Sequence, residues 1–151
     1  MNNRCFTVCG IVDIEGKVLL VRHTYGTAKD RILLPSGYVH ENELPTVAAE
    51  RELLEETGIV AKAGAVAALQ CKPNQWCAVF LMEYISGTPR SDGYENSEVL
   101  MLDPEEAVKR PDITNMSRVI LEAYIKDRAK LMKSAYVPAT SDKDGYVIFG
   151  V

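Results

Sequence analysis

The sequence predicts one α/β domain covering residues 1–151. Three observations carry that expectation. Runs rich in β-branched and apolar residues recur at strand length along the first two thirds of the chain. Between and after them lie two segments with helical signals, Leu44 to Thr57 and Thr114 to Lys133. The length of 151 residues, with 47% hydrophobic and 25% charged residues, suits one core and one domain without disulfides or structural metal.

In chain order, Phe6 to Ile14 reads as a strand, Glu15-Gly16 as a turn and Lys17 to Val21 as the second arm of a hairpin. Thr24 to Arg31 reads as a loop. Ile32 to Leu34 is a short strand that stops at Pro35-Ser36-Gly37. In the helix from Leu44 to Thr57, Pro45 sits near the start, where a missing N–H is tolerated, and Gly58 supplies the stop. Ile59 to Gln70 and Trp76 to Ile85 read as strands around a polar break. Gly87 to Glu95 is turn-rich and reads as a mobile loop before a short strand, Glu98 to Leu102. Asp103-Pro104 resembles an N-cap and first helical residue for a short helix to Lys109. From Thr114, Val119, Ile120, Ala123, Tyr124 and Leu131 recur at helical spacing, with Glu122, Lys126, Asp127 and Lys130 between them. Tyr146 to Phe149 reads as an added strand or a partner contact.

The formal charge of −4, from 21 acidic and 17 basic residues, argues against a nucleic-acid polymer as partner but not against a small phosphorylated ligand, because a metal ion offsets the repulsion. No apolar run approaches the roughly 20 residues that span a bilayer, so no membrane contact is expected. The first nine residues carry no secretory pattern, and the cytoplasm is the expected location. Cys5, Cys9, Cys71 and Cys77 lack zinc-knuckle spacing and read as reduced residues, mostly packing, rather than a metal site.

The chemistry is concentrated between Gly37 and Ile59. Glu52, Glu55 and Glu56 stand at i, i+3 and i+4 on the expected helix, so all three can point to one side. Like charges at that spacing repel, and the cluster asks for a cation. Carboxylate oxygens are hard ligands that suit Mg²⁺ or Mn²⁺, ions that bridge phosphate oxygens and activate water. Gly37 lets a strand bend into a loop. Arg51 offers a forked, permanently charged donor beside the carboxylates. Glu43 lies just before the helix, where negative charge is favoured by the dipole.

These residues resemble the Nudix box, G-x5-E-x7-R-E-U-x-E-E-x-G-U with U a bulky aliphatic residue. Gly37, Glu43, Arg51, Glu52, Glu55, Glu56 and Gly58 fill the fixed positions, and Leu53 and Ile59 two U positions. Seven fixed positions match by chance on the order of once in 10^8. The box covers 23 residues, and the flanking strands extend the likeness, more loosely, to most of the chain. Ser36 stands where the family often has a further glycine, and His40 where it often has an acid, which bears on loop details and substrate contacts.

The resemblance implies an α/β/α sandwich with a mixed central sheet and the box helix at the active site. It implies that Glu52, Glu55 and Glu56 hold Mg²⁺ or Mn²⁺, that Gly37 contributes a backbone ligand or a turn, and that Arg51 and Glu43 support them. Glu52 would serve as ligand and base by turns. Where the family draws the base from a later loop, Glu98 is the candidate here. The activity implied is hydrolysis of a diphosphate bond by water attack on phosphorus. The substrate would be a small nucleoside diphosphate-linked compound, a nucleoside triphosphate or one like ADP-ribose. Pro73, fifteen residues after Gly58, loosely echoes the downstream proline of ADP-ribose pyrophosphatases. The alternative is a Nudix-like module that binds a nucleotide and regulates a partner without turnover, although such modules would lose box glutamates and none is lost here. A homodimer is compatible with either. Trp76 and Tyr84 are candidates for stacking on a base, with core packing as the plainer role. Arg22, Arg31 and Lys72 are candidates for phosphate contacts. His40 reads as a loop contact, and His23, at a strand end, has the weakest claim.

Overall fold

A computed structural model describes residues 5–127 and 147–149. Among these residues eight strands form one mixed sheet: β1 (Phe6–Ile14), β2 (Lys17–His23), β3 (Ile32–Leu33), β4 (Ser36–Tyr38), β5 (Val60–Lys72), β6 (Gln75–Ser86), β7 (Asn96–Leu102) and β8 (Val147–Phe149). The main path runs β3-β2-β1-β6-β5-β8, with β4 on β1 and β7 on β2. β1 and β6 are parallel from Phe6↔Trp76 to Val12↔Met82, and the other pairings between strands are antiparallel.

The period of two along each strand divides the core into two layers. Val8 and Val12 of β1, Leu19 of β2 and Ala78, Phe80 and Met82 of β6 face one way. There they meet Ala48, Ala49 and Leu53 of helix α1 (Pro45–Thr57). Cys9 and Ile11, Val18 and Leu20, and Cys77 and Val79 face the other way. They pack with Ala107 of α2 (Pro104–Ala107) and with Ile120, Leu121 and Tyr124 of α3 (Asn115–Lys126). Both faces of the central strands are therefore covered, as an α/β/α sandwich requires.

Local signals act where the sequence placed them. Asp103 Oδ1 accepts from the N–H groups of Glu105 and Glu106, and Thr114 Oγ1 from that of Ser117. Gly58, at φ 73°, ends α1 in the left-handed conformation. The described part of the last helix ends at Lys126, so Leu131 and the expected end at Lys133 lie outside the described residues. The expected tail strand exists as β8, which adds to β5 at Leu69–Cys71. No helix among the described residues is long and apolar enough to cross a membrane. All four cysteines are free, with Cys9 and Cys77 buried in the core.

The loop before β7 differs from expectation. Its turn-forming residues are engaged in bonds. Asp92 Oδ1 accepts from the N–H groups of Tyr94 and Asn96, and Ser91 Oγ donates to the Asn96 carbonyl. The loop is fastened at both ends. The Arg90 N–H donates to the Thr57 carbonyl at 2.8 Å, and Thr24 donates to the Glu95 carbonyl from its N–H at 3.1 Å. At Gly87, φ 104°, an added Cβ would run into the Gly58 carbonyl, so a side chain there would force the loop off the end of α1.

Candidate active site

The site is assembled where β4 leaves β1 and α1 crosses above it. Gly37 pairs with Val8, which faces α1, so a side chain at position 37 would point at the helix. A Cβ there would overlap the carboxylate of Glu52. Glycine is needed at this bend because the carboxylate already occupies the space.

The three glutamates differ in surroundings. Glu56 continues the apolar stripe Ala49-Leu53 at helical spacing and is buried, 1% exposed. Its Oε2 accepts the Ser36 N–H at 2.9 Å, while its Oε1 is buried with no partner among the described residues. Burial pushes the Glu56 carboxyl up to about 8, with the charge of Glu52 and others adding to the effect. Glu52 is largely shielded, and burial raises its carboxyl against the opposing pull of Arg51. Glu55 is exposed on the outer side.

Arg51 ties the cluster together. Its Nε and Nη2 donate to the two oxygens of Glu43 at 2.8 and 2.9 Å, Nη1 donates to Glu52 at 2.6 Å and to Glu55 at 3.3 Å, and Nη2 also reaches the Tyr38 carbonyl at 3.0 Å. The fork on Glu43 is the bidentate geometry that a guanidinium favours. It holds the Glu43 carboxyl down at about 2, helped by the His40 N–H. The expected support role of Arg51 and Glu43 thus has a definite geometry. His40 is exposed, a loop contact whose N–H donates to Glu43.

These residues fit a hard divalent cation. Glu56 presents a buried carboxylate oxygen without a partner, and an anionic form of that group needs a counter-charge. Glu52 and Glu55 supply further oxygen donors next to it. Among the described residues, however, no three acidic, His or Cys side chains already surround one point. Glu52 and Glu55 are held by Arg51 instead, so binding a cation requires them to turn toward Glu56.

Glu98 does not join this cluster. It lies inside β7, opposite Arg22, and its carboxylate accepts from Arg22 Nε at 2.9 Å. Arg22 also holds Asp112, between α2 and α3, at 3.0 Å. The acids that the loop does bring near are Glu95, whose charge raises the carboxyls of both Glu52 and Glu56, and Asp92, whose charge raises that of Glu56 and whose Oδ1 is taken up by the Tyr94 and Asn96 N–H groups. A bulge explains the exchange. Arg22 pairs with Glu98 and His23 with Asn96, so Ser97 is an extra residue that turns Asn96 back toward α1. Buried Asn96 then donates from Nδ2 to the Glu56 carbonyl at 2.8 Å and fixes the loop to the helix that carries the glutamates. Bulges leave no clear mark in a sequence, so Glu95 and Asn96 were not legible as site residues. The register of Glu56 with Ala49 and Leu53 was legible, and it marks the inward-facing carboxylate.

The basic candidates are largely committed elsewhere. Besides its two carboxylates, Arg22 donates to the Asp30 carbonyl, and Arg31 donates to that of Ile113. The Tyr84 hydroxyl donates to the Gly87 carbonyl. Trp76, the second residue of β6, lies opposite Phe6 at the start of β1, with its N–H on the Cys5 carbonyl. Pro73 stands exposed in the tight turn between β5 and β6.

The site is thus a helix-borne carboxylate cluster at a strand–loop–helix junction on an α/β/α sandwich, a set of oxygen donors that suits a divalent cation. The chain belongs to the Nudix family: the NUDIX domain model matches residues 1–124. Its structure is similar to that of a NUDIX hydrolase from Nitrosomonas europaea, with a TM-score of 0.74 and 26% identity over 85% of this chain and 73% of that one. It is also similar to the E. coli ORF135 protein, with a TM-score of 0.66 and 26% identity over 82% of this chain and 90% of that one. A curated relative, an ADP-ribose pyrophosphatase of Methanocaldococcus jannaschii, is 29% identical over 86 residues, 53% of this chain and 51% of its own. The chain thus matches about half the length of that relative.

Proposed function

We propose that this protein hydrolyses a diphosphate bond in a nucleoside diphosphate-linked substrate, using Mg²⁺ or Mn²⁺ held by Glu52, Glu55 and Glu56. The observation that carries this reading is Glu56, a buried carboxyl with one oxygen on the Ser36 N–H and the other without a partner. A buried acid in that state is costly to ionise unless a cation joins it. The Gly37 carbonyl, at the bend beside Glu52, is the proposed backbone ligand.

When bound, the cation supplies positive charge that neutralises phosphate oxygens and makes water more acidic. The chain's own residues do the rest. Arg51 holds Glu52 and Glu55 in reach while Glu43 fixes the guanidinium. Asn96 keeps Glu95 in register with Glu56. Glu95 has no side-chain hydrogen bond or ion pair among the described residues, and we assign it removal of the proton from the attacking water, in place of Glu98, whose carboxylate is occupied by Arg22.

The curated relative's activity supports ADP-ribose as the first substrate to try. The test is a panel of ADP-ribose and nucleoside triphosphates with Mg²⁺ or Mn²⁺, with products separated by ion exchange. Cutting the diphosphate of ADP-ribose yields AMP and ribose 5-phosphate. Absence of phosphate-bearing products across the panel, with folded protein and either metal, refutes the reading.

A further inference from the structure

His23 and Tyr25 lie outside the Nudix box, at the end of β2 and in the loop that follows. Their rings stack with centroids 5.1 Å apart and planes inclined by 22°. His23 is half-buried and forms the inner member of the pair. Tyr25 is the outer member, 53% exposed. Covering one face of a tyrosine with a second ring while leaving so much of it in water yields little from burial. It does make a flat π surface whose orientation is already fixed.

The surface sits at the rim of the carboxylate site. Thr24, between the two rings in sequence, donates from Oγ1 to the carbonyls of Tyr94 at 2.7 Å and Glu95 at 3.0 Å. The segment carrying Tyr25 and the loop carrying Glu95 are thereby fastened to each other. The Tyr25 hydroxyl is raised by partial burial and then by the charges of Glu95, Glu56, Tyr38 and Glu52, all of which lie within electrostatic reach of it.

We propose that Tyr25, backed by His23, is the platform on which the aromatic base of a nucleotide substrate stacks. This rests on the reading of the carboxylates as the diphosphate site. A nucleotide has two ends of opposite character. Its phosphates must lie at the cation between the glutamates, and its base is neutral and planar. An acidic floor offers a neutral ring nothing, so the base gains by lying at the rim, a sugar's length from the phosphates. The stacked pair provides a neutral π face there. Because His23 already restricts Tyr25, stacking a base costs little further side-chain freedom. Stacking tolerates any base, so the platform selects an aromatic group over a sugar or an alkyl chain rather than one base over another. Substrates bearing a diphosphate but no aromatic ring are then poor ones.

The test compares wild type with Tyr25→Ala and Tyr25→Phe. Binding of AMP and of ribose 5-phosphate, which lacks the base, is measured by calorimetry with Mg²⁺, and the kinetics of ADP-ribose cleavage are followed. Tyr25→Ala is expected to weaken AMP about tenfold or more, the size of a lost base–aromatic contact, and to leave ribose 5-phosphate unchanged. Tyr25→Phe should bind AMP within about threefold of wild type, because the ring is kept. For ADP-ribose the loss in Tyr25→Ala should appear in KM rather than kcat. Wild-type AMP affinity in Tyr25→Ala, or equal loss for AMP and ribose 5-phosphate, overturns the proposal. If wild type cleaves no diphosphate while Tyr25→Ala still selectively loses AMP, the base platform stands and the hydrolase reading fails.

Discussion

Glu56→Gln separates the electrostatic cost of the site from its chemistry. In the metal-free protein the Glu56 carboxyl titrates at about 8 instead of 4.5, because burial opposes its ionised form. The unfolded chain releases this proton near 4.5, whereas the folded chain retains it to about 8. Below 4.5 both states are protonated and the group is neutral with respect to stability. As pH rises from 4.5 to 8 the unfolded state is increasingly favoured, and above 8 the loss is complete. At 1.36 kcal/mol per pH unit, the loss is about 4 kcal/mol by pH 8. Glutamine cannot ionise. Its oxygen can keep the Ser36 N–H, but its amide N–H₂ replaces the unpartnered oxygen and costs about 1–3 kcal/mol as a buried unsatisfied donor. Urea melts in EDTA should therefore show the Gln variant less stable than wild type at pH 5 and more stable at pH 8, with the order reversing between. Mg²⁺ should stabilise wild type more at pH 8 than at pH 5, since the cation competes with the proton, and should not stabilise the variant appreciably. The variant should also lose about 10²-fold or more in kcat. A stability difference between the two proteins that is flat from pH 5 to 8 refutes this account of Glu56.

Four further outcomes follow from the same geometry. Activity should vanish in EDTA and return with Mg²⁺ or Mn²⁺, and Glu55→Gln should lower kcat by about 10²-fold with the fold intact by circular dichroism; full turnover without metal counts against the cation mechanism. Gly37→Ala should displace the Glu52 carboxylate and reduce kcat by about 10²-fold, and wild-type turnover would show that this carboxylate is not constrained as described. Glu95→Gln should lower kcat by about 10²-fold or more, while Glu98→Gln stays within about threefold and loses only the partner of Arg22; the reverse order of kcat values returns proton removal to Glu98. Glu43, held at about 2 chiefly by Arg51, contributes stability above pH 4.5 that is lost as pH falls toward 2. Glu43→Gln should flatten that acid limb in urea melts, and an unchanged limb would show that the fork is not stabilising.

Most of the architecture was legible because it depends on local chemistry. The breaks at Glu15-Gly16 and Gly58, and the cap at Asp103-Pro104, are each fixed by residues with restricted or unusual backbone preferences, and the elements beside them fall within a residue or two of expectation, whereas Ser36 and Gly37, read as a stop, begin strand β4 against β1. The box fixed which residues gather on α1. What it left open was the different burial of Glu52, Glu55 and Glu56. Helical spacing puts all three on one side, but the sheet decides that Glu56 points inward along the Ala49-Leu53 stripe and that Glu55 remains in water. Composition misled at Gly87 to Glu95. Glycine, proline, serine and aspartate signal a turn, and only the three-dimensional contacts reveal that Asp92, Ser91 and Arg90 tie this one down. The identity of the approaching acid was hidden for a related reason, since it depends on strand register across 70 residues of sequence.

Ser97 shows how indirectly that register governs the site. It makes no bond that defines the chemistry, yet it acts as a spacer that rotates everything upstream of it by half a turn relative to β7. Were Ser97 paired as an ordinary strand residue, strict alternation would send Asn96 to the α3 side, detach it from the Glu56 carbonyl and carry Glu95 away from the glutamates. The demand at position 97 is that the residue bulge out of the ladder, and hardly for its kind. Alanine or threonine there should be tolerated, whereas any change that draws position 97 into regular pairing amounts to replacing the acid, the anchor and the loop at once. A slip of one residue in strand pairing can thus dismantle a site whose every named side chain is still present.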